Sequence, residues 1–91
     1  MTLSAIEELP VPESVAAASQ KAEMARIWIA DGDQVVTLSS RMWDDPGAWG
    51  LMLVDLAEHV ALAYEAKGVN AKEALAKIRA AMDAEWANPT D

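Results

Sequence analysis

Ninety-one residues, with 7 Lys and Arg against 15 Asp and Glu, leave room for one domain and give a formal net charge of −8. Basic residues are few and scattered, so neither nucleic acid nor an anionic membrane surface is an expected partner. There is no cysteine, which excludes disulfides, thiolate catalysis and cysteine-ligated metal centres.

The hydrophobic fraction of 53% contains no Phe and owes much to alanine. That composition suits a folded domain with a thin core, of the kind that gains stability by oligomerising.

Residues 1–19 read as an N-terminal arm, poorly ordered or forming a short helix, ahead of a single α+β domain over residues 20–91. Leu9-Pro10-Val11-Pro12 favours an extended backbone, because a residue before proline is driven out of the helical region. Glu13 to Ala25 is alanine-rich and suits a short helix that Ser14 can cap, although helices of that length are marginal alone. Glu7, Glu8 and Pro10 interrupt any apolar leader, and Val54-Asp55-Leu56-Ala57-Glu58-His59 puts three ionisable side chains into the longest apolar run. The expected location is therefore the cytoplasm.

Met24 to Ala30 alternates as a strand, with Ile27 and Ile29 on one face and Arg26 and Trp28 on the other. Asp31-Gly32-Asp33 is a turn signal, and the β-branched run from Gln34 to Ser39 returns as the second strand of a hairpin. A lone hairpin is marginal in water, so it is expected to pack on helices and to gain strands from another subunit.

Asp44 or Asp45 can cap the next helix, and Pro46 suits its first turn because no backbone N–H is needed there. Pro46 to about Lys67 reads as that helix. Trp49, Leu53, Leu56, Val60 and Tyr64 recur at spacings of three and four, giving an apolar stripe, with Asp55, Glu58, His59, Leu62 and Glu65 opposite. Gly68 suits a left-handed helix end. Asn70 to Glu73 has the form of a capping box, opening a second helix with Ala71, Leu75, Ile78, Met82 and Trp86 on its stripe. Asn88-Pro89 ends it. The short connection implies an antiparallel pair, which brings Trp49 and Trp86 to one end. The expected fold is thus α+β, a β-hairpin packed on an antiparallel pair of α-helices with a mobile N-terminal arm.

Several stretches together resemble a family of short bacterial proteins classed as a domain of unknown function. They are Arg26-Ile27-Trp28-Ile29, Trp43-Asp44-Asp45-Pro46 with Ala48-Trp49-Gly50-Leu51-Met52-Leu53-Val54-Asp55-Leu56, His59, and Ala84-Glu85-Trp86-Ala87 with Pro89-Thr90-Asp91. The resemblance covers roughly Ala25 to the C-terminus and leaves the arm unmatched. It brings no activity, substrate or catalytic residue.

His59 is the only histidine. Asp55, four residues earlier, shares its helix face and Glu58 lies beside it, so the three form a candidate acid–base or surface site. No nucleophile or electrophile accompanies them, and their spacing matches no metal motif. A solvated ion pair on an amphipathic helix is the simpler account of them.

Arg26, Trp28 and Trp43 are candidate interface residues: Trp28 and Trp43 fall off the inward stripes, and a tryptophan on a sheet's second face usually has a cover. The expected protein is a small acidic homodimer or higher oligomer that binds rather than catalyses, with another protein or a small apolar molecule as a further partner and no cofactor or metal. The alternatives are a small enzyme using His59 with Asp55 or Glu58, and an accessory subunit of a larger assembly.

Overall fold

A computed structural model describes residues 8–39 and 41–90. The first seven residues of the expected arm, Ser40, and Asp91 of the C-terminal motif lie outside the described residues. The fold is α+β, in the order α1 (Glu13–Ala16), β1 (Ala25–Ala30), β2 (Asp33–Leu38), α2 (Pro46–Glu65) and α3 (Ala71–Ala87). Two compact units divide the chain, one ending at Met42 and the other beginning at Trp43.

In the first unit the expected helix from Glu13 to Ala25 shrinks to a single turn. Pro12 occupies the cap position and supplies no side-chain cap, so Ser14 does not cap it. One turn fixes several dihedrals for few hydrogen bonds, and nothing buried sustains it further. The Lys21 ammonium takes the Ala16 carbonyl at 2.9 Å, just past the turn.

β1 and β2 pair antiparallel, with Ala30 opposite Asp33, Trp28 opposite Val35 and Arg26 opposite Thr37. Only Asp31 and Gly32 connect them, at φ of 51° and 85°. Positive φ at both positions is the type I′ hairpin turn, whose twist matches that of the strands and which Asp-Gly favours. Asp33 therefore belongs to the ladder rather than to the turn. Side chains alternate, so Ile27, Ile29, Val36 and Leu38 share one face and Arg26, Trp28, Val35 and Thr37 the other.

In the second unit Asp45, not Asp44, caps α2: its Oδ1 accepts from the Gly47 N–H at 2.9 Å, with Pro46 at the first helical position. The helix ends at Glu65, slightly before the expected Lys67. Gly68 at φ 90° donates its N–H to the Glu65 carbonyl, and Val69 donates to Tyr64. That reciprocal pair of bonds is the Schellman ending for which a left-handed glycine is suited. Asn70 then caps α3 by accepting from the Glu73 N–H at 3.1 Å.

α2 and α3 pack on each other, and the short connection makes them antiparallel. Their seam centres on small residues, with Ala61 2% exposed and Ala74 6%, flanked by the half-buried Ala57, Ala71, Leu75 and Ile78. This corrects the orientation expected for α2. The larger apolar stripe lies roughly a quarter turn round the helix from the alanines. Leu53, Leu56, Val60 and Tyr64 are accordingly between 40% and 48% exposed. Alanines admit a close helix approach, and the bulkier residues flank the contact.

On α3 the expected stripe holds for Ala71, Leu75 and Ile78 but not for Met82 or Trp86, and Trp86 is 89% exposed. The buried contact lies in the turns nearest Gly68, and Trp49 finds a different aromatic neighbour. Trp86 thus lies outside the inward stripe expected for it, and the aromatic neighbour of Trp49 is Trp43.

Candidate functional site

The His59 group sits on the outer surface of α2. The ring Nδ1 lies 2.8 Å from the Asp55 carbonyl oxygen one turn back and 3.5 Å from its carboxylate Oδ2. Both side chains are 69% exposed. The carbonyl contact, and secondarily the charge of Asp55, hold the His59 pKa above its ordinary 6.5, with Glu58 adding a smaller push in the same direction. Nδ1 thus donates to the backbone. Chemically this is a solvated imidazole whose proton is held more tightly than that of a free histidine. Among the described residues no group of three or more His, Asp and Glu converges to hold a metal ion.

Arg26 is placed by β1 on the Trp28 face. Its Nε donates to the Glu23 carboxylate and its Nη1 reaches Glu8 at 3.4 Å. The hydrogen bond to Glu23, then that residue's charge, raises the guanidinium pKa further above its already high value. Trp28 is half-buried. Along with Arg26 it lines an open groove of about 830 Å³ whose other wall includes Leu9, Pro10, Val11 and Val15. The extended Pro-rich segment and the second face of the hairpin therefore come together, with Arg26 tying Glu8 and Glu23 at the rim.

Trp43 belongs to the second unit. It meets Trp49 edge to face, with ring centroids 5.1 Å apart, and the pair covers the first turn of α2. The candidate residues thus fall into separate places: His59, Asp55 and Glu58 on one helix surface, Arg26 and Trp28 beside the arm, and Trp43 at the α2 cap.

Two contacts have no signal at sequence level. Glu8 and Arg26 are eighteen positions apart, beyond any local periodicity. At the C-terminus the Glu85 carboxylate accepts from the Thr90 N–H at 2.7 Å and from its hydroxyl at 3.1 Å. Thr90 stands in the stretch that carries the resemblance, but that stretch has no pattern that announces the hydrogen bond, and only the stop at Pro89 suggests that the chain turns back there.

The family model described as "Domain of unknown function (DUF5076)" matches residues 8–90. The match bears out the resemblance carried by the tryptophan-flanked helix start and extends it back into the arm as far as residue 8, although the arm was expected to lie outside it. No curated protein matches the chain. Among solved structures, one is described as "Structure of a putative pyruvate dehydrogenase from the photosynthetic bacterium Rhodopseudomonas palustrus CGA009". It is similar at 32% identity and a TM-score of 0.74, over 98% of this chain and 92% of that one. Among the described residues no helix is long and apolar enough to cross a membrane.

Proposed function

The chain belongs to the DUF5076 family, and we propose that it works by association rather than by catalysis, as a small acidic homo-oligomeric interaction protein of the cytoplasm. The observation that carries this reading is the rotation of α2. Its alanines take the intramolecular seam, while Leu53, Leu56, Val60 and Tyr64 remain 40–48% exposed along one side. Leu51, Val54 and Leu62 are more exposed still. Apolar surface of that extent marks an interaction site on a soluble chain.

The chemistry of the polar groups supports the same reading. A general base acts from a site that orients a substrate against it, whereas His59 stands in solvent with Nδ1 engaged by its own helix. An enzyme acting on pyruvate, the substrate named in the description of the Rhodopseudomonas protein, must hold a carboxylate. The basic side chains lining the groove beside Trp28 are Lys21 and Arg26, and both are engaged within the chain.

Light scattering at micromolar concentration tests the proposal. The expected mass is at least twice the 9.8 kDa of one chain. A clean monomer at that concentration overturns it.

A further inference from the structure

A strand in a two-stranded ribbon has one bonded edge and one open edge, and an open edge templates another strand. The phase of the β1–β2 ladder follows from Ser39, whose N–H donates to the Met24 carbonyl at 2.9 Å, and from the register pairing Ala30 with Asp33. In an antiparallel ladder bonded and non-bonded pairs alternate. Residues 33, 35, 37 and 39 therefore turn their backbone groups toward β1. Gln34, Val36 and Leu38 turn theirs outward. Among the described residues β2 has β1 as its one strand neighbour.

We propose that the open edge of β2 pairs antiparallel with β2 of a second copy of this chain, about a two-fold axis at Val36, giving a four-stranded sheet across two protomers. The proposal rests on the self-association reading and makes the β2 edge the contact without which the exposed α2 stripe does not hold two copies together.

Three observations select a second copy. The first is self-complementarity. The outward-facing positions 34, 36 and 38 are symmetric about Val36, so the two-fold sets Val36 against Val36 and Gln34 against Leu38. Every outward N–H and C=O of the three residues then has a partner, and a buried or paired edge leaves no such group unmade.

The second is charge. Gln34 to Leu38 carries no charge in a chain of net charge −8. Two copies repel one another over most of their surface, and this strip is free of that cost. The same register places Asp33 opposite Ser39 rather than opposite another acid, so no like charges face across the pair.

The third is the missing protection. Natural sheets guard open edges with lysine, proline or a bulge, and β2 has none of these. The β1 side differs, since Arg26 and Trp28 line a groove with the Pro-rich segment. Joining two ribbons also merges the exposed Ile27, Ile29, Val36 and Leu38 faces into one apolar sheet surface. It carries the sheet past the two-strand limit below which hairpins are marginal.

Amide hydrogen exchange followed by NMR on the full chain tests this, alongside light scattering of wild type and Val36→Pro. Proline removes the central outward N–H but none that faces β1. In wild type the amides of Gln34, Val36 and Leu38 are expected to exchange roughly tenfold or more below their free rates, and to lose that protection on dilution to monomer. Val36→Pro is expected to lower the mass to one chain while the amides of Val35, Thr37 and Ser39 stay protected, showing an intact hairpin. A wild type that associates with the three outward amides unprotected overturns the sheet-edge pairing and leaves the self-association reading standing. So does a Val36→Pro variant that associates like wild type. A monomeric wild type overturns both. If Val36→Pro also unfolds the hairpin, the wild-type exchange pattern alone decides.

Discussion

Trp43 and Trp49 lock the start of α2 from both sides of its cap: their rings meet at 82° with centroids 5.1 Å apart. One ring edge carries partial positive charge and the face it meets carries negative charge, so the pair gains about 0.5–1.5 kcal/mol beyond its buried area. A double-mutant cycle of Trp43→Ala and Trp49→Ala, read by chemical denaturation, should return a coupling energy of about that size. Trp49→Ala alone should cost about 2–3 kcal/mol, below the full range for aromatic truncation because the ring is half-buried. Trp86→Ala, on a side chain 89% exposed, should stay within about 0.5 kcal/mol of wild type. Equal damage from Trp86→Ala and Trp49→Ala would place both rings in one core and contradict the seam.

α2 and α3, their caps and the hairpin are legible in the residues, because each depends on local chemistry, whereas the helix expected from Glu13 keeps one turn only. Asp-Gly sets the turn, Asp45 and Asn70 set the helix starts, and Gly68 sets the ending between them. The rotation of α2 is not legible in the same way. Leu51, Leu53, Val54, Leu56, Val60 and Leu62 spread apolar groups around most of its circumference, so periodicity announces a helix without choosing its covered side. What decides is steric. Ala57 and Ala61 allow α3 to approach, and no spacing rule weights alanine above leucine. The His59 group was legible as a cluster, since Asp55 lies one helical turn away, but the dominant partner proved to be the Asp55 carbonyl. The Arg26–Glu8 contact joins residues too far apart in sequence for any pattern to register.

Asp45 supplies the cap while Asp44 does not, and this separates two adjacent residues of the same type. Asp45→Ala should cost about 1 kcal/mol, the usual loss when a helix N-terminal N–H forfeits its side-chain acceptor. Asp45→Asn should retain most of the stability because the carbonyl oxygen can still accept from Gly47. Asp44→Ala should change stability by less than about 0.5 kcal/mol. Urea melts of the three variants check the order. Equal losses at both positions would indicate that the helix dipole, not the single hydrogen bond at 2.9 Å, carries the effect.

Gly32 sits at φ 85° with open space where a Cβ would be. Any penalty there is therefore backbone strain rather than a clash. Gly32→Ala should destabilise the hairpin by about 1 kcal/mol, since left-handed backbone costs an L-residue about that much. Asp31→Asn, at φ 51°, should be neutral or slightly stabilising, because Asn-Gly also favours the type I′ turn. Exchange rates of the Trp28 and Val35 amides, which bond across the ladder, report both effects. A neutral Gly32→Ala would mean that the turn relaxes to another type.

The His59 imidazole offers a pH readout with a sign fixed by its contacts. Its folded pKa is raised above 6.5, first by the Asp55 carbonyl and then by the Asp55 charge. A raised pKa means that the fold binds the proton more tightly than the unfolded chain does. The associated stabilisation is therefore full below the unfolded value near 6.5 and is lost as pH rises through the folded value. Because the ring is in solvent, the effect on global stability should be slight, and NMR titration of the ring protons is the sensitive measurement. The wild-type midpoint should fall above 6.5. Asp55→Asn removes the charge but leaves the backbone carbonyl 2.8 Å from Nδ1, so the midpoint should drop partway and remain above the ordinary value. Added salt should screen the charge contribution and act in the same direction as the substitution. A midpoint that returns all the way to 6.5 in Asp55→Asn would assign the shift to the carboxylate. A wild-type midpoint below 6.5 would place His59 in an apolar contact, as burial of the α2 surface in an assembly would do.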